Sequence, residues 1–279
     1  VPARTRNQAR SAIHRMIITP FALTLTVLLI ASACSTSKPN DTSPGDDQPA
    51  EDHLTGAGEP RELRPLHVKN QRILDDLGRD VLLRGANVNS LGEYHQGDPG
   101  VEPTAPVTDS DWEAMAGRGF SVTRLIMSWS RLEPEPGEID AGYLDQIAET
   151  IAAANAHGIY VVLDMHQDAW GPFIASPQDV ECEPGTQPAI GWDGAPSWAT
   201  LVGDSSTCVT GGRESAPAVK AAFNSFYSNA PGPDGVGLRD HLVAVWGAVA
   251  ERFAGLTGVA GYDLLNEPET ARPADDLKP

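Results

Sequence analysis

Ala260-Gly261-Tyr262-Asp263-Leu264-Leu265-Asn266-Glu267-Pro268-Glu269 is the stretch that decides the fold class. A short apolar run, typical of a buried strand, ends in an Asn-Glu-Pro step. Pro268 cannot donate to a sheet ladder, so the strand must stop there. The stop puts Asn266 and Glu267 at the carboxyl end of a strand, where parallel α/β barrels keep their chemistry. A Glu held there beside an Asn has the form of a general acid/base.

Working outward, strands and helices alternate upstream of this run. Val81–Asn89 reads as a strand running into polar residues, Ser121–Trp129 as a second, and Ile159–Asp164 as a third. The third is apolar until its end, as expected when both faces are buried. Between them, Asp109–Met115 reads as a helix with Ser110 and Glu113 at capping-box spacing. Asp140 caps another helix, in which Leu144, Ile147, Ala148 and Ile151 recur on one face and Gly158 suits the position after its end. Leu242, Val245, Trp246, Val249 and Phe253 mark the helix before the fourth strand. The segment from Ala169 to about Gly237 reads as one long irregular connection.

Alternation with buried strands implies parallel βα units. Four units are half of an eightfold barrel; a doubly wound open sheet is the alternative. No Gly-rich phosphate loop follows the first strand, so nucleotide binding has no support.

Polar groups gather at the strand ends: Asn87 and Asn89 after the first, Arg124 within the second, Asp164, His166 and Asp168 after the third, Asn266 and Glu267 after the fourth. Each alone has a plain structural reading. Arg124 could be an ion-pair member on the barrel floor, His166 a satisfied core histidine, Asn87 a turn residue. Their convergence at four strand ends points to a site.

Several motifs give these positions a family likeness. Arg84-Gly85-Ala86-Asn87, Gly119–Leu125 with Ser128-Trp129, the turn Glu133-Pro134-Glu135-Pro136-Gly137, and Leu265-Asn266-Glu267-Pro268 together resemble glycoside hydrolase family 5. Asp164-Met165-His166-Gln167-Asp168 and Asp193–Ala199 resemble the endoglycoceramidase-like members. The resemblance implies a (β/α)8 TIM barrel, present here to about its first four βα units, and a retaining β-glycosidase acting on a glycolipid or β-glycan. By it, Glu267 is the acid/base, which must hold a proton near neutral pH and so is expected in a crowded apolar setting. Asn266 would bind the sugar 2-hydroxyl. Arg124 would orient the nucleophilic carboxylate, and His166 and Asp168 would line the glycone subsite. The family's nucleophile is a Glu at the end of the seventh strand, and no residue up to Pro279 matches it; Glu269 is too close in sequence to face Glu267. The expectation is that the chain by itself does not hydrolyse glycosides, and that its open strand edges invite association. A plain β-glucan substrate, or an inactive or sugar-binding product, are the competing readings. No metal or cofactor is implied.

The amino terminus reads as an export signal. Arg4, Arg6, Arg10 and Arg15 precede the apolar run Ile17–Ala33, and Ala31-Ser32-Ala33-Cys34 resembles a bacterial lipobox. Cleavage after Ala33 and lipidation of Cys34 would tether the protein to the outer face of the cell membrane; an uncleaved anchor is the alternative. Val1 stands where a Met would start, and Met16 is a second candidate start. Residues 1–33 are then the signal peptide, 34–65 a Ser-, Pro- and Asp-rich disordered tether, and 66–279 the partial catalytic domain. Formal net charge is −18, a surface that repels nucleic acid and anionic headgroups.

With Cys34 assigned to lipid, Cys182 and Cys208 remain as a pair. Outside the cytoplasm a disulfide is their natural fate. They lie in the long connection after the third strand, together with Trp170, Trp192 and Trp198. One reading is a stapled flap with Trp170 and Trp198 as aromatic faces for sugar or lipid. The other is a surface insertion with its tryptophans packed beneath it.

Overall fold

The computed structural model describes residues 61–93 and 104–269. The expected signal peptide, Cys34, most of the expected tether, residues 94–103 and residues 270–279 lie outside them.

The described chain opens with an antiparallel hairpin, β1 (Leu66–Lys69) and β2 (Arg72–Asp75), its turn made by Asn70 and Gln71 at positive φ. The chain is anchored ahead of the expected start at 66. Arg64 N–H donates to the Tyr160 hydroxyl (2.8 Å), which donates back to the Arg64 carbonyl (2.7 Å).

Then follow β3 (Gly85–Val88), α1 (Asp109–Gly117), β4 (Val122–Ser128), a single turn α2 (Trp129–Leu132), α3 (Ala141–Ala156) and β5 (Tyr160–His166). A two-residue ladder, β6 (Gln187–Pro188) with β7 (Cys208–Val209), lies in the connection after β5. The chain continues through α4 (Pro217–Tyr227), α5 (Leu238–Phe253) and β8 (Val259–Asp263).

Strands β3, β4, β5 and β8 form one parallel sheet in that order. Sequential order without reversal is a sector of a barrel; a doubly wound sheet turns back on itself and opens its crevice at the reversal. The outward-facing residues Leu125, Met127, Val161, Leu163 and Met165 are buried beneath the helices, against the α3 stripe Ile147, Ile151 and Ala154. Alternation sends Arg124, Asp164, His166 and Asp263 to the other face. Leu82 and Leu264, beside the two edges of this sheet, are exposed.

Two helix readings need correction. α1 is not capped by Ser110 with Glu113. Its cap is Thr108, whose N–H donates to Asp111 Oδ2 (2.8 Å), two residues earlier. Asp111 reaches back as well as Glu113 would, and Thr108 has the extended backbone a cap needs. The stretch 169–237 is not wholly irregular, because it contains α4. Pro217 sits at its first turn, and Ala218, Val219, Ala222, Phe223 and Phe226 bury one face. The Asp140 cap on α3 is as expected, accepting from the Tyr143 N–H (3.0 Å), and Gly158 follows at φ 72°.

Candidate active site

The parallel register sets Asn87, Arg124, Val162 and Gly261 in one row across the sheet, with Asp164 beside Asp263 in the next. Gly261 has nothing within 4 Å of where a Cβ would stand, so the long Arg124 side chain has room to cross. It reaches the Asp263 carboxylate (Nη2–Oδ2 2.7 Å), Asp164 (Nη2–Oδ1 3.0 Å) and the Asn266 side-chain oxygen (2.9 Å). Arg124 is thus both an ion-pair member and a holder of Asn266.

Asp164 is fully buried and its Oδ2 meets His166 Nδ1 at 2.7 Å. Burial pushes the Asp164 carboxyl up, against the pull of His166 and Arg124. Burial pushes His166 down, but Asp164 and, farther off, Asp168 outweigh it and carry the imidazole up to about 9. With cations on two sides of Asp164, the pair is best described as carboxylate and imidazolium. The other ring nitrogen of His166 lies 3.4 Å from Asn266 Nδ2 and 3.6 Å from Asp168 Oδ2.

Asn266 is buried, Glu267 exposed. The backbone there is pinned by Gln167, whose Nε2 donates to the Asn266 carbonyl (2.8 Å) and the Glu267 carbonyl (2.9 Å). Gln167 Oε1 in turn accepts from the Trp170 N–H (2.8 Å). Glu267, Ala169 and Trp170 all hold positive φ, at 38°, 50° and 75°. For side-chain-bearing residues this conformation costs roughly 1–3 kcal/mol each, and it persists where surrounding contacts over-determine it. Gln167 is that constraint, linking two strained strand ends.

Among the described residues Glu267 is exposed, just past β8, the last strand of the described sheet. Asn87 is likewise exposed, in register with Arg124. Of the two readings of the tryptophans, packing holds for Trp170 and Trp198, and their expected role as aromatic faces for sugar or lipid does not. Trp170 and Trp198 are core side chains rather than open platforms, 2% and 9% exposed. Trp129 sits edge-on to both, at 6.3 Å and 5.6 Å between ring centres, and Phe223 closes on Trp170 at 4.9 Å.

Four residues of the site escaped the sequence reading as site residues. Asp263 and Gln167 could have been found from strand alternation and from standing beside His166. Asp193 opens the Asp193–Ala199 motif, which marked it without giving it a role; Arg213 carries no such signal, because it arrives far along the connection after β5. Asp193 is fully buried; burial pushes it up to about 6, and the Glu93 N–H that meets its Oδ1 pulls the other way. Its Oδ2 has no hydrogen-bond partner among the described residues. Arg213 Nη2 pairs with Asp168 Oδ1. Cys182 and Cys208 are joined in a disulfide with Cα atoms 5.8 Å apart.

His166, Asp168 and Asp193 each bring one ligand atom within 4.8 Å of the others, the spacing of a metal site. A guanidinium already lies on Asp168, and the imidazole carries charge, so the cluster is better satisfied by its own cations. What it presents is a set of buried carboxyl oxygens beside the Asn266 amide.

The family model described as Cellulase (glycosyl hydrolase family 5) matches residues 78–278. The chain belongs to glycosyl hydrolase family 5. It therefore has the family's (β/α)8 barrel as its fold class, with the β3-β4-β5-β8 sheet as one sector. A crystal structure of an endogalactoceramidase is 49% identical, with TM-score 0.70, over 74% of this chain and 45% of that one. Endo-glycoceramidase II from Rhodococcus sp., solved as a lactosyl-enzyme intermediate, is 32% identical with TM-score 0.57, over 70% and 42%. Endoglycoceramidase I of Rhodococcus hoagii (strain 103S) is 30% identical over 210 residues, 74% of this chain and 37% of the relative. The chain thus spans less than half the length of each of these relatives.

Proposed function

We propose that this protein is a retaining O-glycosyl hydrolase that frees the glycan of a glycolipid, with Glu267 as general acid/base. The observation that carries this reading is the Asn266–Glu267 strand end. Asn266 is fixed by Arg124, by Gln167 and beside His166, while Glu267 projects from a backbone that Gln167 holds bent. Glu267 would give a proton to the glycosidic oxygen as the aglycone leaves, then take one from the water that hydrolyses the glycosyl-enzyme. The attacking carboxylate expected at the seventh strand lies outside the four parallel strands described. Arg124, which holds Asp263 and Asn266, would orient it. Asn266 would bind the 2-hydroxyl, and Asp168 and His166 the glycone.

The endoglycoceramidase and endogalactoceramidase relatives support a glycolipid as the substrate class. The assay is release of intact glycan from a glycosphingolipid, run beside a soluble β-glucan, with the protein as its gene encodes it. Glycan release from the lipid alone supports the reading. Release from β-glucan alone moves the substrate to the cellulase side of the family, and activity on neither overturns the reading.

We also propose export and lipidation at Cys34, which would hold the enzyme at the outer face of the membrane. The support is the basic run, the apolar run, the small residues before Cys34, and a disulfide that suits an oxidising compartment. Mass spectrometry of membrane-extracted protein should find an acylated Cys34 amino terminus; an intact Val1 or Met16 terminus contradicts it.

A further inference from the structure

We propose that Arg213 is a positioning residue for Asp168, and that the disulfide-closed flap delivers it there. The proposal rests on the reading of Asp168 as a glycone-binding carboxylate.

Asp168 stands in a crowd of like charge. Asp164 is two residues from His166, and Asp193 sends its main-chain carbonyl to the Asp168 N–H (2.9 Å) and its carboxylate into the same cluster. Asp164, Asp168 and Asp193 are all less than one-tenth exposed. One imidazolium cannot neutralise three buried carboxylates, and unpaired buried charge is costly. Arg124 is taken up by Asp164 and Asp263. The second cation at Asp168 is Arg213, 45 residues along the chain.

Arg213 is itself built in. Its guanidinium lies over the Trp192 ring, 4.6 Å from the centroid, and its Nε meets Glu214 Oε1 at 2.9 Å. The turn that carries it is tied by the Thr210 N–H donating to Ser215 Oγ (3.0 Å). That turn begins just after β7, whose Cys208 is bonded to Cys182 and paired with Pro188 of β6. Four residues separate the staple at Cys208 from Arg213. Without the staple, the segment 183–207 loses its covalent closure and Arg213 its fixed approach.

The consequence concerns which oxygen of Asp168 is open. Arg213 takes Oδ1. Oδ2 lies 3.6 Å from His166 Nε2, beyond hydrogen-bond reach, and so is left as the acceptor for a ligand hydroxyl. Arg213 thereby fixes the carboxylate plane and its charge without touching the substrate.

The test uses the protein as its gene encodes it, with Arg213→Ala, Arg213→Lys, the double variant Cys182→Ser/Cys208→Ser, and the triple variant with Arg213→Ala. Two readouts are taken: KM and kcat on a glycosphingolipid, and the His166 imidazole titration by NMR. In Arg213→Ala, KM should rise about tenfold with kcat changed far less. The His166 midpoint should move upward, because Asp168 is no longer shared with a guanidinium. Arg213→Lys should recover part of both. The double Ser variant should shift both in the same direction, and the triple variant should be no worse than Arg213→Ala, as residues acting through one another are not additive. Unchanged KM and unchanged His166 titration in Arg213→Ala overturn the proposal. Full additivity in the triple variant overturns the role of the staple. If the wild type turns over no glycolipid, the functional reading fails, and the His166 titration alone decides the role of Arg213.

Discussion

Asp164 and His166, two residues apart on β5, face the same side of the sheet and meet at 2.7 Å through Oδ2 and Nδ1. The spacing is the period of a strand, so the contact follows from the sequence once the strand is granted. It makes a buried ion pair at the centre of the site, with Arg124 on the carboxylate's other oxygen and Asp168 beyond the imidazole.

The pair predicts an alkaline loss of stability. His166 titrates near 9 in the folded protein against about 6.5 in an unfolded chain. A raised imidazole favours the fold fully below the unfolded value and loses that contribution as pH rises through the folded one. Stability against denaturant should therefore fall between about pH 6.5 and 9, by a contribution on the order of 3 kcal/mol. His166→Gln should flatten that slope. A profile equally steep in the variant refutes the assignment.

Removing Arg124 strands charge. Asp164 is fully buried and Asp263 faces it in register, so Arg124→Met leaves two carboxylates without their shared guanidinium. Breaking such a pair by removing one partner costs about 3–5 kcal/mol. Urea unfolding should show a loss of this size, and Arg124→Lys a smaller one. A loss below about 1 kcal/mol would mean that water replaces the guanidinium.

A second buried network ties α2 and the turn after it to α5. Glu133, 1% exposed, accepts from the Trp129 indole N–H (2.8 Å) and the Gly137 N–H (2.8 Å), and meets His241 Nδ1 at 2.7 Å. The ring of Trp198 packs on His241 at 4.6 Å. Burial pushes His241 down, but Asp234 and Glu133 raise it overall. Glu133→Gln keeps the size and loses the charge, so it should cost about 1.5–3 kcal/mol, typical of hydrogen bonds to charged groups, and should alter Trp129 emission. Wild-type stability in this variant contradicts the account.

The disulfide closes a separation of 26 residues. Chain-entropy reasoning assigns such a loop ~3.5 kcal/mol at most. Cys182→Ser/Cys208→Ser should lower stability by up to that amount, read by calorimetry. No loss at all would show that the flap holds without its staple.

What could be read in advance was what local pattern controls. Leu125–Met127 and Ile159–Leu163 are apolar on both faces, so parallel buried strands followed from them. Asp140 and Gly158 bracket α3 because a cap and a left-handed stop are chemical requirements of helix ends. Helix α4 was hidden by its setting, since Pro217–Tyr227 sits among Gly, Ser and Pro, although its Ala218, Val219, Ala222, Phe223 and Phe226 spacing was present. The two readings of Trp170 and Trp198 stayed open because composition cannot tell an open ring face from one sealed by Trp129 and Phe223. Arg213, and the role of Asp193 within its motif, were out of reach because their place depends on where a long connection folds back, which is set by tertiary contacts and the staple.

The central claim is that Glu267 moves the proton at the scissile bond, and Glu267→Gln tests it most directly. On a glycosphingolipid, whose leaving group needs protonation, turnover should fall about 10²–10⁴-fold. On an aryl β-glycoside with an acidic leaving group, the first step needs no proton, so a burst of phenol should precede slow turnover. Wild-type turnover of the glycosphingolipid by Glu267→Gln would contradict the account.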